Sequence, residues 1–125
     1  MEKLNLNAAF EQLEQDIESD IEVLKLIDGD PCFVIAQLKS GRTLSAHYHN
    51  EGSEIYQILS GEGKMETGKL SGTHVLWNQC FQISQGDVFE IKANRVHRLS
   101  NVGQDPLKLV FITPPSHLGE DRFFL

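Results

Sequence analysis

The sequence predicts an all-β domain, an antiparallel sandwich or barrel, with one short helix in front of it. From residue 20 onward apolar side chains recur at every second position, and turn residues interrupt them about every ten residues. No helical pattern separates these segments. Evenly spaced short strands without intervening helices are typical of antiparallel sandwiches and barrels. We therefore expect about nine or ten short strands.

The helical pattern lies near the N-terminus. Leu6, Phe10 and Leu13 follow one another at spacings of four and three, which places them on one face of a short amphipathic helix. Asn5 and Asn7 are both of a residue type that caps a helix N-terminus.

The strand pattern runs through eight segments separated by glycine, proline and asparagine turns. They are DIEVLKLI, CFVIAQL, RTLSAHYH, EIYQILS, KMETGKLSGTHVLWNQCFQI, DVFEIKA, VHRLS and LKLVFIT. The longest of them is expected to hold two or three strands. We expect one domain, in which residues 1–19 form a helical, acidic segment, residues 20–115 the barrel and residues 116–125 a tail.

Composition excludes several classes of function. Residues 1–30 hold nine acids and two bases, whereas the remainder holds nine of each. No basic stripe is present, so nucleic acid is not an expected partner. No apolar run approaches the roughly 18 residues that span a membrane, and the acidic start is unlike a signal peptide. A cytoplasmic location is therefore expected. Two cysteines without close spacing exclude a CxxC-type redox or zinc-ribbon site.

The stretch HYHNEGSE, residues 47–54, carries the first chemical signal. Period-two alternation puts four polar side chains of its strand on one face: Thr43, Ser45, His47 and His49. After the turn NEGS the next strand opens with Glu54, level with the two histidines. Two imidazoles and one carboxylate suit a first-row transition metal. The alternative is a charged surface turn, and Glu51 fits that description.

Two stretches resemble the paired signatures of the cupin superfamily. Residues 41–61 match the spacing of the first without a gap, through Gly41, His47, His49, Glu54 and Gly61. Residues 86–101 match the second, through Gly86, His97 and Asn101. Lys92 and Asn94 stand where the family usually has proline and glycine, but neither occupies a ligand position.

The resemblance implies a small antiparallel jelly-roll barrel, the double-stranded β-helix, and a metal site inside it. Its ligands would be His47, His49, Glu54 and His97, which hold a divalent transition metal: Mn, Fe, Ni, Zn or Co. An octahedral ion would keep two positions open for a small, anionic, chelating ligand. A homodimer is common in the family.

Other residues are candidates for the lining of such a site. Tyr56 shares the face of Glu54 and is the candidate proton carrier, with barrel packing as its alternative role. Val75, Trp77, Phe81 and Ile83 are expected on one face, where Trp77 would stack on a sugar ring unless its role is structural. Arg95 lies beside His97 and would attract an anion, unless it is ordinary surface charge. His74 and His117, the latter in the tail, are expected to be non-ligands.

The tail favours a homodimer. It ends in Phe123, Phe124 and Leu125, which are too apolar for a free end. Three residues expected on the outward face of the histidine strand also require cover: Leu44, Ala46 and Tyr48.

Two classes of function fit these features. The first is a metal-dependent enzyme acting on a small oxygen-rich molecule such as a sugar acid, a hydroxy-keto compound or a carboxylate, either as an isomerase or lyase or as an Fe-dependent dioxygenase. The second is a non-catalytic, metal-bound binding or sensor protein. The enzyme is favoured because a sensor is expected to carry an effector domain, for which these residues leave no room. A purely structural metal ranks last.

Overall fold

The computed structural model describes residues 3–125 and confirms the all-β class. The helical elements are α1 (Leu6–Ala9) and two 3₁₀ helices (Phe10–Gln12 and Pro115–Leu118). The strands are β1 (Glu14–Gln15), β2 (Glu22–Ile27), β3 (Cys32–Leu38), β4 (Thr43–Tyr48), β5 (Glu54–Ser60), β6 (Glu62–Ser71), β7 (His74–Ser84), β8 (Val88–Ile91), β9 (Val96–Asn101), β10 (Leu107–Thr113) and β11 (Phe123–Phe124).

These strands form two antiparallel sheets that face each other. The first has the order β1-β2-β3-β10-β5-β8 and the second the order β11-β4-β9-β6-β7. Nine of the described strands have four or more residues, in line with the predicted number. The core between the sheets is apolar and fully buried at Val34, Leu38, Met65, Leu99 and Leu109.

The N-terminal helix is shorter than its pattern predicts. Asn5 is its cap and accepts a hydrogen bond from the backbone N–H of Ala8 at 2.9 Å. The helix ends at Ala9, where the chain tightens into the first 3₁₀ helix. Leu6 and Phe10 pack with Ile35 and Val110 in a second apolar cluster, separate from the main core. Among the described residues, no helix combines the length and apolar character that a membrane crossing requires.

A register shift in β4 corrects the predicted faces of the histidine strand. Leu44 pairs with Leu99 and His47 with His97, and the irregularity lies between these two pairs. Leu44 is therefore buried beside His47, whereas Ser45 is exposed. The prediction was right for His47 and His49 but wrong for Thr43, Ser45 and Leu44, because an irregular ladder breaks the alternation that the sequence pattern assumes.

The C-terminal segment, defined here as residues 114–125, folds back onto its own chain. In β11, Phe123 and Phe124 pair with Tyr48 and His47 of β4, and the Phe123 ring stacks on Tyr48 with centroids 5.3 Å apart. This pairing covers Tyr48 and Phe124 in part within one protomer, but Phe123 and Leu125 stay 38% and 56% exposed. The homodimer stays a prediction, and these exposed apolar side chains still favour it.

Gly61 occupies a position that only glycine fits. Its φ is +90°, and a Cβ there would lie 2.7 Å from the Pro106 carbonyl oxygen and 3.0 Å from Leu107 Cα. We expect Gly61→Ala to lower the free energy of unfolding by at least about 2 kcal/mol, because positive φ and a backbone clash add. Gly72→Ala is the matched control, since its φ is +63° but no atom lies within 4 Å. Equal losses in denaturant unfolding would show that the close approach imposes no constraint.

Candidate metal centre

Four side chains from three strands meet between the sheets. His47 belongs to β4, His49 follows its last residue, Glu54 opens β5 and His97 lies in β9. One candidate ligand atom from each lies within 4.8 Å of all the others, and all four residues are buried. Glu54 Oε2 is 3.3 Å from His49 Nε2 and 3.1 Å from His97 Nε2. The structure thus brings together the four predicted ligands.

The register of the strands explains this convergence. His47 lies directly opposite His97 across the β4–β9 pair, and their ring centroids are 4.2 Å apart. The turn after β4 returns the chain so that Glu54 opens β5 on the inward face. Asn94, which replaces the usual glycine, has a φ of +66° and donates its backbone N–H to the His49 carbonyl at 2.7 Å. Asparagine tolerates this left-handed conformation.

Each imidazole directs the same nitrogen away from the centre. Nδ1 of His47 donates to the Ser45 carbonyl at 2.8 Å, and Nδ1 of His97 donates to the Arg95 carbonyl at 3.0 Å. Nδ1 of His49 donates to the Asp121 carbonyl. A carbonyl only accepts hydrogen bonds, so each Nδ1 carries a proton, and a neutral imidazole of this tautomer has its lone pair on Nε2. Nε2 is therefore the nitrogen that each histidine can offer to a metal at the centre.

The charge states of the centre suit a cation. Burial and, to a smaller extent, the neighbouring His97 lower the pKa of His47 from 6.5 to about 3. Burial opposes ionisation of Glu54, but the contacts with His117, His49 and His97 outweigh it and hold the Glu54 pKa well below its usual range. A neutral imidazole and a carboxylate anion are the forms in which these groups coordinate a metal.

Three atoms of the centre lack a hydrogen-bond partner, and they indicate whether a metal fits. His49 Nε2, Glu54 Oε2 and His97 Nε2 are buried without a hydrogen-bond partner, an arrangement that is costly unless something binds there. All three belong to the same cluster. Three imidazoles and one carboxylate form a donor set that first-row divalent ions accept. The residues therefore fit a transition metal.

Tyr56 lies beside the centre in the floor of the barrel. It is fully buried, stacks on Phe89 at 5.0 Å and meets the His97 ring edge-on at 6.1 Å. Burial raises its pKa well above the usual range, and the charge of Glu54 adds to the shift. Tyr56 thus keeps its proton at neutral pH. Both of its predicted roles, packing and proton transfer, are compatible with this position.

A groove of about 440 Å³ lies next to the ligand strands, on the side of β6 and β8, and none of the four predicted ligands lines it. Its lining includes Thr67, which pairs opposite His97, and Ile91, which pairs opposite Glu54. Two cations, Lys92 and Arg95, and one acid, Glu90, also line it. The Arg95 guanidinium donates to Asn78 Oδ1 at 3.0 Å and approaches Thr67 Oγ1 at 3.4 Å. We call this feature the Arg95 groove.

Two candidate residues lie away from the centre. A register shift in the β6–β7 pair leaves one extra residue between Trp77 and Gln79, so Trp77 does not share the face of Phe81 and Ile83 as predicted. Its ring instead lies under the Arg98 guanidinium, 4.5 Å away, and Arg98 forms a bidentate pair with Glu66. This position gives no support to a role in lining a substrate site. His74 is exposed at the start of β7.

The C-terminal segment supplies residues that the sequence pattern missed. His117 is 1% exposed, and its Nδ1 lies 3.6 Å from Glu54 Oε1. With Arg122 and three of the predicted ligands, His47, His49 and Glu54, it lines a cavity of about 20 Å³ beside the centre, room for about one water molecule. Burial lowers the pKa of His117, but Glu54 and the Glu51 carbonyl outweigh this and raise it above the usual value. The only sequence signal was a histidine after the last long strand.

Comparison with known families decides the identification. The family model described as the cupin domain matches residues 34–113, which is more than half of the chain. This chain belongs to the cupin family. The match includes all four predicted ligands and both signature stretches.

Relatives of this cupin carry different names and lengths. An uncharacterised protein of Methanocaldococcus jannaschii is 33% identical over 79 residues, which are 63% of this chain and 56% of that protein. Mannose-1-phosphate guanylyltransferase of Salmonella typhimurium is 31% identical over 84 residues, 67% of this chain and 16% of that enzyme. The chain thus spans little more than half of the first relative and about a sixth of the second.

Solved structures agree on the fold. Oxalate decarboxylase of Lactobacillus farciminis, in its formate complex, superposes with a TM-score of 0.70 at 19% identity over 93% of this chain and 34% of that one. At this identity the likeness concerns the fold alone.

Proposed function

We propose that this cupin binds one divalent transition metal through His47, His49, Glu54 and His97 and presents it to a small anionic, oxygen-rich molecule. The observation that carries the proposal is the convergence of three buried, unpartnered ligand atoms on one point. Any of Mn, Fe, Co, Ni and Zn accepts this donor set. The reaction we favour is an isomerisation or bond cleavage of the bound molecule.

Charge supports the anionic class of ligand. A divalent ion held by three neutral imidazoles and one carboxylate leaves the centre with a net charge of about +1. Lys92 and Arg95 add positive charge in the Arg95 groove, while Glu90 is engaged by the Ser53 hydroxyl at 2.9 Å. Two of the proteins named above, the oxalate decarboxylase and the mannose-1-phosphate guanylyltransferase, bear the names of small anions. A carboxylate or sugar phosphate is accordingly the class we propose.

The residues around the centre would divide the work of a reaction. A bound metal would act as a Lewis acid toward a ligand oxygen. Arg95 would orient the anion from the groove, and the wall of His117 and Arg122 would limit the opposite side to about one water molecule. Tyr56, which keeps its proton, would donate a hydrogen bond or a proton to the ligand.

A second candidate function is binding without catalysis. Beyond the ligands, the titratable groups lining the small cavity are Tyr56, His117 and Arg122. His117 is engaged by Thr113 and Glu51, and Tyr56 by aromatic packing. Neither is as free as a general base usually is. This observation favours a metal-dependent binding protein as the alternative to an enzyme.

Binding of oxalate to the metal-loaded protein tests the proposal. We expect calorimetry to detect binding in the Mn²⁺- or Co²⁺-loaded form but not in the metal-free form. Arg95→Gln should weaken it about tenfold, because roughly 1.4 kcal/mol is a reasonable contribution for one groove cation. Product analysis with oxalate and with mannose-1-phosphate then separates the enzyme from the binding protein, and oxygen uptake by the Fe²⁺ form tests a dioxygenase.

Arg42→Gln is the matched control. Arg42 is exposed in the turn before β4 and faces Asp20 at 3.8 Å, away from the groove. The proposed ligand class would be refuted if oxalate and mannose-1-phosphate both failed to bind the loaded protein, or bound equally well without metal. Metal content, measured separately, shows whether Arg95→Gln acts on the ligand or on the metal.

A further inference from the structure

The three histidines of the centre are not held in the same way. His47 and His97 each donate from Nδ1 to the carbonyl two residues earlier in the chain, those of Ser45 and Arg95. His49 lies beyond the end of β4 and donates to the carbonyl of Asp121, 72 residues further along. The acceptor for Nδ1 of His49 therefore comes from the C-terminal segment, whereas local backbone supplies the acceptors for the other two rings.

His117 contacts two of the ligands from the same segment. Its ring stacks on His49 with centroids 3.9 Å apart and an interplanar angle of 5°. Nδ1 lies 2.7 Å from Thr113 Oγ1 and 3.6 Å from Glu54 Oε1, and Nε2 donates to the Glu51 carbonyl. Both nitrogens of His117 thus have partners. His117 is accordingly a positioning residue rather than a fifth ligand.

The two oxygens of Glu54 have separate neighbours as a result. Oε1 faces His117, while Oε2 faces His49 Nε2 and His97 Nε2. Only Oε2 is buried without a partner. This separation leaves one carboxylate oxygen for an ion.

The segment also clamps the turn that joins the ligand strands β4 and β5. The Asp121 carboxylate accepts the backbone N–H groups of Asn50 at 2.6 Å and Glu51 at 2.9 Å. Gly52 has a φ of +73°, and a Cβ there would lie 2.8 Å from Pro114 Cγ. Turn and segment therefore pack without room for another atom, and movement of one displaces the other.

The structure assigns to residues 114–121 the role of positioning element for the metal centre. Through Asp121 they fix the orientation of the His49 ring. Through His117 they hold Glu54 so that only its Oε2 faces the ion. The inference rests on the proposed metal binding, and it names residues outside the ligand set that determine affinity and geometry. Residues 114–121 lie beyond both signature stretches and include none of the four predicted ligands.

Cobalt binding to purified, metal-free protein tests the inference. His117→Phe keeps a stacked ring of similar size but removes both nitrogens. We expect it to weaken Co²⁺ affinity about 10- to 100-fold, the usual effect of losing a partner of a metal ligand. The visible absorption spectrum of the Co²⁺ form should also change, because Glu54 and His49 can adopt other geometries. Thr113→Val, which removes only the hydroxyl facing His117 Nδ1, should cause a smaller loss in the same direction.

His74→Phe is the control, since His74 is exposed at the start of β7, and it should leave affinity and spectrum unchanged. Thermal unfolding of the metal-free variants shows whether each one folds. If His117→Phe does not fold, the Co²⁺ affinity and spectrum of Thr113→Val decide whether the inference holds. Wild-type protein that binds no Co²⁺ would overturn the proposed metal binding and this inference with it. Wild-type binding together with unaltered affinity and spectrum in the folded variants would overturn the inference alone.

Discussion

We expect His97→Ala to abolish metal binding at the centre. His97 is fully buried and pairs opposite His47, and its Nε2 is one of the three unpartnered atoms at the centre. Loss of an outer partner of a ligand typically costs 10–100-fold in metal affinity, so loss of a ligand should cost at least about 100-fold. Elemental analysis after reconstitution and dialysis should find close to one ion in the wild type and almost none in the variant.

Two controls separate loss of a ligand from loss of structure. His74→Ala removes an exposed histidine of β7 and should leave the metal content unchanged. Leu99→Val trims a fully buried core residue two positions along the strand from His97, at a cost of about 1 kcal/mol in stability. It should still load fully. A His97→Ala protein that holds as much metal as the wild type would exclude His97 as a ligand.

Metal-free protein should lose stability steeply in mild acid. Burial, followed by the neighbouring His97, lowers the pKa of His47 from 6.5 to about 3 in the folded chain. Between these values the unfolded chain carries a proton that the folded chain does not, so a falling pH favours unfolding. The free energy of unfolding should fall by about 1.4 kcal/mol per pH unit below 6.5, on the order of 5 kcal/mol over the whole interval.

The shifted pKa values of His117 and Glu54 add little pH dependence between pH 6.5 and 4.5. The raised pKa of His117 gives a stabilising contribution that is already complete below pH 6.5, so it adds no slope there. The lowered pKa of Glu54 adds a further loss only below its usual value of 4.5. The contribution of His47 between pH 6.5 and 4.5 is isolated by comparing urea unfolding of the metal-free wild type with that of a variant that lacks the imidazole.

A glutamine at position 47 provides the comparison, because it keeps a polar side chain that does not titrate. In metal-free His47→Gln, the free energy of unfolding should change less with pH than in the wild type. The difference in slope should be about 1.4 kcal/mol per pH unit, which corresponds to one proton. Parallel slopes in the two proteins would contradict the assignment, as would a wild-type stability that does not change across this window.

Local pattern was sufficient to predict the fold and three of the four residues of the centre. Alternation and turn spacing indicated the strands, and the hairpin between His49 and Glu54 is short enough for its geometry to follow from the turn length. The match to two signatures added His97, which no local pattern connects to His47. In the structure, one candidate ligand atom from each of the four residues lies within 4.8 Å of those of the other three.

Irregular pairing explains the errors on the strand faces. The shift between Leu44 and His47 turned Leu44 inward, and the extra residue between Trp77 and Gln79 moved Trp77 away from the face of Phe81. A bulge adds one residue to one strand and reverses the face of everything beyond it. Its position depends on the partner strand, so alternation within a single segment contains no signal for it.

The C-terminal segment could not be predicted because its contacts are remote in sequence. His117 reaches the Glu51 carbonyl across 66 residues and Asp121 reaches His49 across 72. Read locally, the same residues form a short apolar tail, and this reading led to the argument for a dimer. Only the folded chain shows that the tail completes the surroundings of His49 and Glu54.

Anomalous diffraction from crystals of the metal-loaded protein would show directly which side chains bind the ion. Data collected on both sides of the metal's absorption edge locate the ion without reference to any assumed site. We expect one peak about 2.0–2.2 Å from Nε2 of His47, His49 and His97 and from Oε2 of Glu54, the usual range for such bonds. A loaded crystal with its peak elsewhere, or with any of these four side chains turned away from the ion, would contradict the account.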